Sequence, residues 1–195
     1  MKPERSLFTQ DFSSQTTLSN GLLVVFGAHG GAGLILDLVA RLSLRGPVYL
    51  LDCGNRSDMY RVARTLRSLT DDPVAILRNI RLSRAFTCYQ VVALLEKISS
   101  GVPAPVLVLD LLSTFMDESV QVNESSMLFN RALHSLTAAA SSAPVIVSAK
   151  PLLSLSTPRF GLLEQLKSEA AEVWEENVLP PTRLDEIQLP LFSGD

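Results

Sequence analysis

The sequence predicts an α/β fold, a mostly parallel sheet with helices on both faces. Three observations predict it. Short apolar runs at residues 22–26, 48–51, 106–109 and 144–148 alternate with longer segments of helical periodicity. The runs are apolar throughout rather than alternately polar, as strands covered on both faces must be. Gly, Pro, Asn and Asp separate the two kinds of segment. A chain of 195 residues suits one domain with a large core. The expected division is a polar arm at 1–20, the core domain at 21–178 and a polar tail at 179–195.

Composition narrows the class. Hydrophobic residues make up 47% and charged residues 19%, which excludes a disordered chain. A net charge of −3 gives no global pull on a polyanion. Cys53 and Cys88 stand in no metal or redox spacing, as expected of two buried thiols in a reducing cytoplasm. Residues 21–40 have the length of a membrane span. Four glycines, His29 and Asp37 interrupt that run, and its halves read better as a strand and a helix.

The chain is organised around residues 22–44. Leu22 to Phe26 form the first strand, Gly27, Gly30, Gly31 and Gly33 a loop, and residues 34–44 a helix. Strand, glycine loop and helix in that order make the phosphate cradle of P-loop proteins, where backbone N–H groups and the helix dipole converge on an anion. The motif is G-x-x-x-x-G-K-[ST], with the Lys on phosphate and the hydroxyl on magnesium. Counted from Gly27, the second glycine falls on Ala32, the Lys on Gly33 and the hydroxyl on Leu34. Shifted by one, Leu34 and Ile35 take the Lys and hydroxyl places. Neither register supplies a cation or a metal ligand.

The remaining elements follow in order. Residues 48–51 are the second strand, ending in Asp52-Cys53-Gly54-Asn55. Residues 57–69 read as a helix with Arg61, Arg64 and Arg67 on its solvated side. Asp71-Asp72-Pro73 is a turn, 76–82 a short strand and 87–99 a helix. Val106 to Leu109 followed by Asp110 has the Walker B pattern, whose Asp holds magnesium; the same Asp equally serves as the cap of the next turn. Residues 124–140 are a long helix, 144–148 a strand, 162–171 a helix and 173–178 an edge strand with Trp174.

With these segments in place, the chain resembles the core ATPase domain of the RecA/RadA recombinase family over about residues 20–178. The most specific stretch is 79–90, NIRLSRAFTCYQ, similar to the family's N-[IV]-x-x-[AS]-R-A-[FY]-x-x-x-x-Q. The resemblance implies a RecA-like P-loop NTPase core, and the departures imply that its chemistry is gone. The phosphate Lys and metal Thr are missing. Gly54 stands where the family's water-activating Glu belongs, and Ala149 and Lys150 replace its γ-phosphate sensor. Of the catalytic set only Asp110 remains. Losing one cationic contributor alone costs on the order of 10³ in phosphoryl-transfer rate. No catalytic residue and no metal site is expected. No cofactor is expected either, and ATP with magnesium would bind only weakly, through Gly27, Gly30, Gly31, Gly33 and Asp110. Lys150 is the candidate substitute cation, although a lysine at a strand end more often stays in water.

The family's DNA-binding loops fall at residues 113–126 and 151–160. The first carries Asp117, Glu118 and Glu124 and no cation, and the second only Arg159, so direct DNA binding is expected to be weak. The tail holds Gln188, Leu189, Pro190, Leu191 and Phe192, similar to the QL-x-LF pentapeptide by which bacterial repair polymerases and their helpers dock on the sliding clamp. Together these imply a non-catalytic interaction module in DNA repair, recombination or translesion synthesis. Its expected partners are a clamp, a polymerase or a recombinase, and no membrane. The competing expectation is a divergent, weakly active DNA-dependent ATPase.

Overall fold

The computed structural model describes residues 4–6, 20–27, 30–100, 103–150, 159 and 161–176. Its centre is an all-parallel sheet ordered β1-β7-β2-β6-β5-β3-β4. The strands are β1 (Glu4–Ser6), β2 (Gly21–Gly27), β3 (Val48–Asp52), β4 (Ile80–Arg84), β5 (Val106–Leu109), β6 (Pro144–Ala149) and β7 (Glu172–Glu176). The helices are α1 (Ala32–Ser43), α2 (Met59–Arg67), α3 (Pro73–Leu77), α4 (Cys88–Ser99), α5 (Val122–Ala140) and α6 (Gly161–Glu169), with a 3₁₀ turn at Leu111–Met116. This is the doubly wound α/β arrangement that Rossmann-type and RecA-like domains share.

The pleat divides the core in two. Leu22, Val24 and Phe26 of β2, Val106 and Val108 of β5, and Val145 and Val147 of β6 pack against α4, α5 and α6. Leu23, Val25, Leu50, Leu107, Leu109 and Ile146 point the other way, against α1 and α2. Because both faces are covered, alternate side chains on one strand must all be apolar, and that produced the unbroken apolar runs. Phe115 of the 3₁₀ turn meets Phe129 of α5 edge-on at 5.2 Å, which anchors the connection after β5.

Three local expectations need correction. Residues 76–82 are not one strand. Pro73 opens a short helix, its start capped by the Asp72 carboxylate accepting from Ala75 N–H, and the strand begins only at Ile80. The strand at Trp174 is not an edge, since β7 lies between β2 and β1. Glu4–Ser6, within the expected arm, supplies that outer strand. Among the described residues no helix is long and apolar enough to cross a membrane. Cys53 and Cys88 are both buried and unpaired.

Candidate functional site

Strand order fixes where a ligand would sit. From β2 the chain crosses by α1 over β6 and β5 to reach β3. From β6 it crosses back by α6, on the opposite face, over β2 to reach β7. Adjacent strands whose connections leave in opposite directions open a crevice at their carboxyl ends, the usual ligand position in such sheets. The β2–α1 glycine loop, Asp110 at the end of β5 and Lys150 after β6 all arrive there.

The described part of the loop turns through two left-handed glycines, and the N–H groups of both are taken within the chain. Gly30 and Gly31 are left-handed, with φ of 61° and 58°, and a Cβ on Gly31 would overlap the Val25 side chain. This turn leads directly into α1, so its N–H groups face the positive end of the helix. The Gly31 N–H donates to Glu176 Oε2 at 3.1 Å. A Cβ on Gly27 would stand 2.5 Å from Glu176 Cβ, so the strand end is bare in order to let β7 approach. The carboxylate thus sits where an anionic ligand would receive this N–H.

The position that would carry the P-loop lysine is also filled. A Cβ on Gly33 would lie 3.0 Å from an Arg61 guanidinium nitrogen. That guanidinium makes a two-point contact with Asp37 of α1, Nε to Oδ1 at 3.1 Å and a terminal nitrogen to Oδ2 at 2.7 Å. Of the arginine row on α2, Arg61 links α2 to α1 at the solvent-exposed surface, and its pKa rises through that hydrogen bond.

Asp110 is turned into the crevice. It stands at the N-cap of the 3₁₀ turn, just before Leu111, yet makes no capping hydrogen bond with its side chain. Its backbone is left-handed (φ 54°), held by an N–H bond to the buried Ser148 hydroxyl at 2.9 Å. Its Oδ2 lies 3.5 Å from Lys150 Nζ and 3.9 Å from an Arg56 guanidinium nitrogen. Lys150 leans over the loop, its Cγ only 3.3 Å from where a Gly30 Cβ would be. The lysine expected to stay in water is thus paired in the hollow, though 42% exposed, so the pair is worth about 1 kcal/mol at most. A Cβ on Gly54 would come within 2.7 Å of Asp110 Cβ and Oδ2. Glycine is therefore the residue at position 54 that this Asp110 conformation admits.

Beside it, Asp52 organises the turn after β3. Its carboxylate accepts from the Arg56 N–H at 2.9 Å, the Ser57 N–H at 3.0 Å and the Ser57 hydroxyl at 2.6 Å, with Arg84 Nε 3.5 Å away. Burial alone would raise this carboxyl. The hydrogen bonds from Ser57 and Arg56, with the Arg84 charge, outweigh it and hold the pKa below the ordinary value. Between Asp52 and Asp110, burial first and then the two carboxylates keep the Cys53 thiol protonated.

Of the site residues read from the sequence, Gly27, Gly30, Gly31, Gly33, Asp110 and Lys150 do gather at one crevice. Glu176, Arg56 and Arg61 belong to it too, and the sequence pattern missed them. Among the described residues no three His, Cys, Asp or Glu side chains are placed to hold a metal. Arg159, the one cation of the second loop, is buried, and its guanidinium donates to the Met116 and Val120 carbonyls. It is unavailable to a phosphate backbone. Gln188, Leu189, Leu191 and Phe192 lie outside the described residues. No family model matches the chain, and no curated protein matches it.

Proposed function

We propose that this chain is a catalytically silent protein of the RecA/RadA type, acting in the cytoplasm as an interaction module in DNA repair, recombination or translesion synthesis. One observation carries the reading: the glycine loop's Gly31 N–H is taken by the protein's own Glu176 carboxylate, and Arg61 packs where the phosphate lysine would leave the helix. A cradle satisfied from within has no need of a triphosphate, and the retained loop then serves the fold. The tail residues Gln188, Leu189, Leu191 and Phe192 would give the module its clamp contact, with Leu191 and Phe192 entering an apolar pocket and Gln188 making the polar contact. Two measurements test this. Magnesium-dependent ATP turnover by the purified chain should stay at background, and robust turnover would overturn the reading. Binding to a bacterial sliding clamp should be lost in the Leu191→Ala/Phe192→Ala double variant, and unchanged binding would remove the tail from it.

A second reading, a weakly active nucleotide-binding ATPase, draws on Lys150 and Arg56, two cations already converging on Asp110. Nucleotide retained through purification and lost in Asp110→Ala would favour it.

A further inference from the structure

The carboxyl end of the sheet carries a second feature, on the outside of the molecule. Phe86 is 69% exposed, Met127 65% and Tyr89 47%. Phe86 lies just before α4, and Tyr89 is the second residue of that helix. The Tyr89 hydroxyl donates to Glu124 Oε1 at 2.7 Å and so joins the starts of α4 and α5. Met127 follows Glu124 by three residues and shares its helical face. Two turns further along both helices, Glu96 pairs with Arg131 at 2.6 Å, so the helices run side by side and frame a shallow apolar strip at their N-terminal ends.

The surroundings of this strip are acidic. Asp117, Glu118 and Glu124 are exposed beside it. Burial first, then the Asp117 and Glu124 charges, push up the pKa of Cys88 at the head of α4, which places both carboxylates close to that helix start. Of the cations nearby, Arg131 pairs with Glu96, and Arg159, whose guanidinium donates to the Met116 and Val120 carbonyls, offsets part of the Asp117 charge and leaves Glu118 and Glu124 unmatched by a salt bridge among the described residues.

Aromatic side chains and Met are what protein interfaces concentrate, and a flexible Met adapts to irregular partners. An acidic rim repels nucleic acid and selects for positive charge, and exposed aromatic faces add attraction for a cation placed over them. We infer that Phe86, Tyr89 and Met127, with Asp117, Glu118 and Glu124, form a docking surface for a Lys- or Arg-rich amphipathic segment of a partner protein. The segment lays its apolar side on Phe86 and Met127 and its cations against the carboxylates. The inference rests on the interaction-module reading and gives it a second contact, separate from the tail.

The test uses the full chain and a fluorescent helical peptide of leucine and lysine, with a leucine–glutamate peptide of the same pattern as control, read by anisotropy. The lysine peptide should bind saturably at one site and weaken as salt rises. Affinity should fall about tenfold or more in Phe86→Ser/Met127→Ser and in Asp117→Asn/Glu118→Gln/Glu124→Gln. The melting temperature of Phe86→Ser/Met127→Ser should match the parent, and the carboxylate variant should stay folded but melt slightly lower, because Glu124 accepts from the Tyr89 hydroxyl and Asp117 from the Ser119 N–H. Equal binding of the glutamate peptide, or unchanged affinity in both variants, would overturn the surface. A change in sedimentation of Phe86→Ser/Met127→Ser without loss of peptide binding would assign the strip to a second copy and equally overturn it. Clamp binding should persist in these variants. If clamp binding persists while peptide binding never appears, the surface fails alone. If the clamp is never bound and ATP is turned over, the interaction-module reading fails with it.

Discussion

The crevice between β2 and β6 and the strip between α4 and α5 lie at the same end of the sheet and behave in opposite ways. In the crevice every charged group found has a partner from the same chain: Glu176 takes the Gly31 N–H, Lys150 and Arg56 converge on Asp110, and Asp37 holds Arg61. On the strip, Phe86 and Met127 stay in water, and the acids beside them are met mainly by neutral donors, the Tyr89 hydroxyl at Glu124 and the Ser119 N–H at Asp117. Unpaired buried charge is costly, so charged groups that meet in a crevice without a ligand are stable only when they satisfy one another. An exposed patch is under no such constraint unless something covers it. The difference teaches that shape and available chemistry are separate properties. Here the hollow has its polar groups satisfied from within, and the outer face leaves apolar side chains in solvent.

Three substitutions would break or sharpen that contrast. The largest effect is expected from Gly54→Glu, the glutamate that the proposed RecA/RadA relationship would place there. Its Cβ would meet Asp110 at 2.7 Å, so the variant should lose about 3 kcal/mol in chemical denaturation and gain no ATP turnover. A stable, hydrolytically active Gly54→Glu would show that the hollow is only one residue short of working. Next is Asp52→Asn, which removes the charge from four acceptor contacts and should cost about 2 kcal/mol at pH 7. The sign with pH follows from the lowered pKa. The Asp52 contribution is present above 3.8 and is lost as pH falls through the lower folded value, so parent and variant should converge in acid denaturation. Smallest is Glu176→Ala, expected to cost about 1 kcal/mol and to speed hydrogen exchange at the Gly31 amide. If the variant also takes up inorganic phosphate where the parent does not, seen by phosphorus NMR, the carboxylate is what fills the cradle. Unchanged exchange at Gly31 would detach Glu176 from the loop.

The sheet was legible because continuous apolar strands such as 106–109 and 144–148 are a local signal, set by burial on both faces. The helix at Pro73–Leu77 was misread because Ile76 and Leu77 continue an apolar string whose meaning changes with the Asp72 cap. The glycines, Asp110 and Lys150 could be found one by one along the chain. Glu176 could not, since it reaches Gly31 across 145 positions through the parallel register of β7 on β2. Arg61 was visible only as one of a row, and its partner Asp37 is one crossover away. Capping and periodicity act over a few residues. Which acid fills which hollow is decided by strand order, and no local pattern encodes that.

Arg159 has one more consequence. Its guanidinium reaches from the segment after β6 to the carbonyls that flank the connection after β5, with Nε sealed from any acceptor. A positive charge enclosed in this way still acts on its surroundings: the Ser119 hydrogen bonds hold the exposed Asp117 carboxyl below its ordinary pKa, and the Arg159 charge adds to that pull. Removing the charge in Arg159→Met should therefore move the Asp117 titration, followed by carbon NMR, back toward the ordinary carboxylate range.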